Sequence, residues 1–151
     1  MGMNVKMWID NPVSELFKKL SDRKHENYRR GFEPIPDVVI FKPEINSDWR
    51  RRNNKNTLNN ILIAIEVKAS ERAKSRLRSA EISLDIQRLA ALREELLHRG
   101  SSMMPVMLII DSAKEEPERM NQNALKQACA LAKDLDVEFM YISPTHEFCS
   151  I

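Results

Sequence analysis

The segment 61–68, Ile-Leu-Ile-Ala-Ile-Glu-Val-Lys, constrains the fold more than any other part of the chain. Alternate residues of a strand point to opposite faces, and both faces of this segment are apolar until Glu66. A strand that is apolar on both sides lies inside a sheet and needs cover on both faces. We therefore predict an α/β fold in which helices flank both faces of a central sheet.

Hydrophobic periodicity places the other elements around this strand. Helical spacing of apolar residues predicts helices at 12–30, 71–99 and 117–136, the first starting at Pro12 and the second ending at Gly100. β-branched runs predict strands at 37–41, 105–110 and 137–142, and the polar, asparagine-rich segment 42–60 is predicted to be a loop. The order is αββαβαβ, or αβββαβαβ if a further strand forms around 32–35. The helical connections that precede the last two strands favour parallel pairing, whereas the strands 37–41 and 61–68 favour an antiparallel hairpin. The sheet is therefore predicted to be mixed.

Composition sets the class of protein. The 151 residues are 42% hydrophobic and 30% charged, which predicts a single globular domain over 1–151. Two cysteines are too few for a disulfide scaffold or a zinc site, and no Gly-rich phosphate loop supports an NTPase. The N-terminus lacks a secretory apolar stretch and no apolar run approaches a membrane span, so we expect a cytoplasmic protein with no membrane partner.

Three polar residues meet if the strands 37–41 and 61–68 pair antiparallel. Asp37 begins the first strand, and Glu66 and Lys68 end the second. Two close carboxylates repel each other unless a cation lies between them, and oxygen ligands of this kind suit Mg²⁺ or Mn²⁺. The Val67 carbonyl is a third candidate ligand, and the Lys68 ammonium could hold or help deprotonate an attacking water. The alternative is a solvated pair at a strand end, without chemistry.

Pro36-Asp37, then Glu66-Val67-Lys68 after a β-branched run, resembles the signature of the PD-(D/E)XK nuclease superfamily. The resemblance implies a restriction-endonuclease-like fold with αβββαβ order and Mg²⁺-dependent hydrolysis of DNA, of restriction, defence or repair type. It implies metal ligation by Asp37 and Glu66, and a catalytic Lys68. An upstream helical glutamate often completes such a site, for which Glu26 is the candidate and Glu15 the alternative. The segment 85–89 resembles the polar helical motif of the superfamily, with Gln87 or Asp85 reaching the site.

Basic residues are concentrated in the first half of the chain, although the net charge is only +2. We expect two blocks to contact the phosphates of a nucleic acid, with an ordinary solvated surface as the alternative. They comprise Arg50, Arg51, Arg52, Lys55, Arg72 and Lys74. DNA is the expected partner, RNA stays open, and a homodimer is an open alternative. The rival functions are an inactive nuclease-fold module that only binds nucleic acid, and an α/β interaction protein.

Overall fold

The computed structural model describes residues 1–7, 9–21, 31–32, 34–45, 54–70, 77–145 and 147–150. The strands are β1 Gly2–Met3, β2 Ile9–Asp10, β3 Gly31–Phe32, β4 Val38–Phe41, β5 Ile61–Ser70, β6 Met104–Asp111, β7 Glu138–Ile142 and β8 Glu147–Ser150. The helices are α1 Glu15–Ser21, α2 Asn54–Asn59, α3 Ser79–His98 and α4 Gln122–Asp134, with 3₁₀ turns at Pro43–Ile45 and Glu116–Glu118.

Six of these strands form one mixed sheet in the order β1-β4-β5-β6-β7-β8. The pairs β5/β6 and β6/β7 are parallel, whereas β1/β4, β4/β5 and β7/β8 are antiparallel. The predicted α/β class, the mixed sheet and the hairpin-like pairing of β4 with β5 are confirmed. The strand expected around 32–35 is limited to β3, which pairs with β2 in a separate ribbon and does not extend the sheet.

The two long helices lie on the same face of the sheet. Helix α3 packs on β5 and β6, α4 packs on β7, and the two helices contact each other. The connections β5-α3-β6 and β6-α4-β7 both step in the same direction along the sheet. Right-handed connections of that kind place their helices on the same side of the sheet. The expectation of a helix on each face is therefore wrong for this pair. Apolar residues on the opposite face stay partly exposed, with Ile110 at 37% and Ile142 at 36%.

The core lies between this helical layer and the inner face of the sheet. Strand register puts a cluster of buried side chains on one face of the sheet, and the buried stripe of α3 covers this cluster. Its members include Val39, Ala64, Met107, Phe139, Ile82, Ile86 and Leu89. Helix α1 packs against α3 and adds Phe17 to the same cluster.

Capping interactions move several helix starts away from the predicted positions. Helix α1 begins at Glu15 rather than at Pro12, because Ser14 Oγ accepts a hydrogen bond from Phe17 N at 3.2 Å. Helix α4 begins at Gln122 rather than at 117, because the Asn121 side chain accepts one from Ala124 N at 2.7 Å. The predicted helical segments 22–30 and 71–76 lie outside the described residues. The predicted loop 42–60 contains a 3₁₀ turn and α2.

No helix in the described ranges has both the length and the apolar character that a membrane crossing requires.

Candidate active site

Asp37 and Glu66 face each other across the antiparallel pair β4/β5. Val38 pairs with Ile65, so the residue before Val38 lies opposite the residue after Ile65. Asp37 N donates to Glu66 Oε2 at 3.2 Å, and Val67 N donates to Asp37 Oδ2 at 2.8 Å. Each carboxylate is thus held through one oxygen by the backbone of the other strand. Within the described part of the chain, neither Asp37 Oδ1 nor Glu66 Oε1 accepts a hydrogen bond.

Two further backbone groups define the surroundings of Asp37. The N–H and C=O of one strand residue point to the same side, so the Val67 carbonyl faces the Asp37 side of β5, as its N–H does. The Asp37 carbonyl accepts a hydrogen bond from Asn4 N at 3.0 Å, next to the pairing of β1 with β4. Asp37 is therefore fixed by two other segments of the chain, the residues around Asn4 and strand β5.

Lys68 lies on the same face as Glu66 and reaches helix α3. Its Nζ is 2.8 Å from Asp85 Oδ2, and Arg88 Nη1 is 2.9 Å from Asp85 Oδ1. The Asp85 side chain is only 3% exposed, whereas the side chains of Lys68 and Arg88 are each 31% exposed. One buried carboxylate therefore holds two partly exposed cations beside the acidic pair. A buried carboxylate needs such pairing to stay ionised.

Burial and the nearby charges change the pKa values of Glu66 and Lys68. Burial, and then the charges of Asp37 and Asp85, raise the pKa of Glu66 to about 7. Burial is the largest influence on Lys68 and acts to lower its pKa, but the hydrogen bond and charge of Asp85, with Glu66 and Asp37, outweigh it and leave the pKa raised. The ammonium form of Lys68 is thus stabilised. The positive charge near Asp37 and Glu66 does not fully offset the negative charge of the two carboxylates.

These residues fit a small divalent cation of the Mg²⁺ type. Mg²⁺ is commonly held by one or two carboxylates and keeps several waters. Two carboxylates, each with one oxygen that accepts no hydrogen bond from the described residues, form a suitable donor set beside a strand carbonyl. The described residues contain no group of three or more His, Cys, Asp or Glu side chains that could hold a metal. The candidate ligands are therefore the pair Asp37 and Glu66 with the Val67 carbonyl, and no larger cluster.

The structure separates two of the other predicted site residues, Glu15 and Gln87, from this group. The Glu15 backbone N–H contacts Glu94 Oε1 at 3.2 Å, and the Glu15 side chain forms a surface ion pair with Lys18. Glu94 is nine residues beyond Asp85 on α3, roughly 13 Å along the helix axis, so Glu15 lies away from Lys68. Gln87 is two residues from Asp85, about 200° around the helix, so Asp85 is the residue of this segment that faces Lys68.

The remaining predicted residues cannot be placed. Glu26, Arg50, Arg51, Arg52, Arg72 and Lys74 lie outside the described residues. Lys55 belongs to α2, but its side chain is outside the described part. The upstream acidic ligand and the predicted phosphate contacts therefore stay predictions.

Arg88 is a site residue that the sequence analysis did not single out. The signal for it was available in the spacing of α3: Asp85 lies on the same buried stripe as Ile82 and Leu89. A carboxylate on an apolar stripe requires a charged or hydrogen-bonding partner, and the position three residues later is within reach on a helix. Arg88 occupies that position.

Comparison of the chain with protein-family models, with curated proteins and with solved structures finds no match in any of the three. What the site does must therefore be argued from its own geometry.

The raised pKa of Glu66 predicts how the metal-free protein responds to pH. Because the folded state binds this proton more tightly than the unfolded chain, whose pKa is near 4.5, the stability contributed by protonation is lost as the pH rises from about 4.5 through about 7. Glu66→Gln should raise the free energy of unfolding at pH 8 by about 1–2 kcal/mol, a figure reduced for solvent screening of a partly exposed group.

Thermal unfolding in EDTA at pH 5 and pH 8 measures this effect. The melting temperature of Glu66→Gln should be higher than that of the wild type at pH 8 and equal to it at pH 5. An exposed-site control, Glu81→Gln, should show no pH-dependent difference. Equal melting temperatures of wild type and Glu66→Gln at both pH values would contradict the electrostatic account of the site.

Proposed function

We propose that this protein is a Mg²⁺-dependent nuclease with a restriction-endonuclease-like fold that hydrolyses phosphodiester bonds, with DNA as its substrate. The observation that carries the proposal is the Asp37–Glu66 pair, in which each carboxylate accepts a backbone hydrogen bond from the other strand, with Lys68 on the same face. Two carboxylates and an ammonium at the edge of one sheet combine metal-ligating groups with a positive charge for phosphate. This combination supports metal-assisted hydrolysis better than it supports any chemistry based on a nucleophilic side chain.

Asp37 and Glu66 would hold the cation through the oxygens that accept no hydrogen bond from the described residues, together with the Val67 carbonyl. When bound, Mg²⁺ supplies Lewis-acid stabilisation of a phosphoryl oxygen and lowers the pKa of a coordinated water. The backbone hydrogen bonds on the other oxygens restrict the rotation of both carboxylates, so the ligands are oriented before any cation arrives.

Lys68 contributes a positive charge that the fold positions in advance. Asp85 holds its ammonium group at 2.8 Å, and Arg88 shares the same carboxylate, so Asp85 does not carry an uncompensated negative charge towards a phosphate. Lys68 can therefore orient the attacking water and balance the charge that develops on the phosphoryl oxygens. Asp85 is a positioning residue in this scheme.

Substitution of Asp37 tests the proposal directly. Purified wild type should nick plasmid DNA in Mg²⁺ or Mn²⁺ and should bind Mn²⁺ in a calorimetric titration. Asp37→Asn should weaken Mn²⁺ binding by more than the ~10- to 100-fold that loss of an outer-sphere partner produces, and should abolish nicking. Asp134→Asn, at an exposed position of α4, is the matched control and should behave as wild type. No metal-dependent nicking by wild type would overturn the proposal.

A module that binds nucleic acid without cutting it is the second candidate. The observation that favours it is that the described residues contain no cluster of three metal-ligating side chains. Salt-sensitive DNA binding without Mn²⁺ binding would support this candidate in place of the nuclease.

A further inference from the structure

A second concave site lies at the same, carboxyl end of the parallel strands as Lys68, two strands away from it. A cleft of about 510 Å³ opens between the start of α4 and the end of β7, a volume typical of small-molecule sites. Its lining includes Met120, Gln122 and Leu125 from the helical side and Tyr141 and Ser143 from the strand side. Neither the metal-ligand pair nor Lys68 takes part in it.

Strand register relates this cleft to the candidate active site. Lys68 pairs with Ile109, and Ile109 pairs with Tyr141, so the three residues form one row across adjacent strands on the same face. Two strand spacings separate Lys68 from Tyr141, which is about 10 Å. That is the rise of roughly three stacked nucleotides. A DNA strand that has a phosphodiester at Lys68 can therefore reach the cleft with a nucleotide at least about three positions away, passing around Ile109, which is fully buried.

The charges in the cleft argue against a phosphate as its occupant. Arg119 is the one cation among the described lining residues, and its three guanidinium nitrogens donate to Ala113 O, Thr145 Oγ1 and Lys114 O at 2.8 Å each. Glu116 and Glu147 add exposed carboxylates at the rim. Among the described lining residues, the cleft therefore offers no uncommitted cation to bind a phosphate group.

The remaining groups suit a flat, neutral, hydrogen-bonding ligand. Pro117, Met120 and Leu125 offer apolar contact, and the Gln122 amide offers both a donor and an acceptor. The Tyr141 hydroxyl lies 3.1 Å from Asp111 Oδ2, which also accepts from Met120 N at 2.6 Å, so this wall of the cleft is fixed by a buried carboxylate. Asp111 is 1% exposed. Nucleobases combine an apolar face with a hydrogen-bonding edge and carry no charge.

We propose that this cleft binds an unpaired nucleobase, with its sugar, from the strand whose phosphodiester lies at Asp37, Glu66 and Lys68. The inference rests on the proposed function for the choice of ligand class, but the cleft can be tested without cleavage. It predicts that the protein prefers DNA with a single-stranded or locally opened segment close to the cut.

Methyl NMR of the intact protein gives a direct readout of the cleft. Met120 is 5% exposed and lines it, whereas Met107 is fully buried in the core and serves as an internal reference. Titration with each of the four deoxynucleosides in EDTA should shift the Met120 methyl resonance and leave Met107 unchanged. Gln122→Ala should weaken that binding by about 3- to 10-fold, the effect of one hydrogen bond, whereas Gln127→Ala, exposed on the same helix and outside the cleft, should not.

A second measurement compares a short single-stranded oligonucleotide with one that carries abasic positions. The intact oligonucleotide should bind more tightly to wild type, and Gln122→Ala should remove that preference. No nucleoside-dependent shift of Met120 would overturn the inference. A response to inorganic phosphate alone, or to an oligo-arginine peptide in place of nucleosides, would also overturn it. Nucleoside binding in a protein that shows no metal-dependent nicking would support the cleft while refuting the nuclease.

Discussion

Replacing Lys68 by alanine is expected to lower the rate of Mg²⁺-dependent cleavage about 100- to 1000-fold, the usual effect of removing one positioned donor that stabilises charge in the transition state. The variant should still fold, because Asp85 keeps Arg88 as its partner at 2.9 Å when Lys68 is lost. Binding of Mn²⁺ should persist, since Asp37 and Glu66 remain. The expected pattern is therefore a bound metal without efficient cleavage.

The measurement is the single-turnover rate of plasmid nicking at saturating Mg²⁺. Lys126→Ala removes the same charge from an exposed position of α4 and is the matched control, with an expected rate close to wild type. Circular dichroism of both variants checks the fold. Equal nicking rates for wild type and Lys68→Ala would show that Lys68 has no part in the reaction, even if cleavage itself were real.

Replacing Glu95 by alanine should be among the most destabilising single changes in the described part of the chain. Glu95 is 0% exposed, and its Oε2 accepts from Val13 N at 2.7 Å and from Ser14 N at 2.8 Å at the start of α1. Its Oε1 is 2.7 Å from Arg99 Nε. Removal leaves buried N–H groups and a guanidinium without their acceptor, which costs about 3–5 kcal/mol. For a chain of this size, that lowers the melting temperature by roughly 10 °C.

Thermal and urea unfolding measure this loss. Glu94→Ala is the neighbouring control: Glu94 is half-buried and accepts one exposed hydrogen bond, from Glu15 N at 3.2 Å, so its loss should cost below ~1 kcal/mol. If both variants unfold at the same temperature, Glu95 does not anchor α1 to α3.

The strands were the most predictable part of this protein. Uninterrupted β-branched runs predict β5 and β6 to within a few residues, because a central strand must be apolar on both faces wherever it is covered. Gly100 was also predicted to end α3, and its φ of +78° with the hydrogen bond from Ser101 N to Leu96 O at 2.8 Å explains why. The pairing of Asp37 with Glu66 follows from these strands and needs only the antiparallel register.

Long-range contacts made the rest unpredictable. The start of α1 depends both on the local cap by Ser14 and on Glu95, which is 81 residues away from Ser14, and no local pattern reveals the second contact. Within α3, Ala80 is exposed whereas Ile82 and Ile86 are fully buried, because the face of a helix that is covered depends on the sheet it meets. Strands of two residues, such as β1, carry too few side chains to show a period.

The hydrogen bond from Asn4 N to the Asp37 carbonyl has a practical consequence for anyone who makes this protein. One candidate metal ligand is braced by the first residues of the chain, whereas Glu66, Lys68 and Asp85 are braced by elements in its middle. A variant that lacks residues 1–4 would lose this contact. Because the Asp37 N–H also holds Glu66 Oε2, both candidate ligands should then be less well oriented and metal binding should weaken.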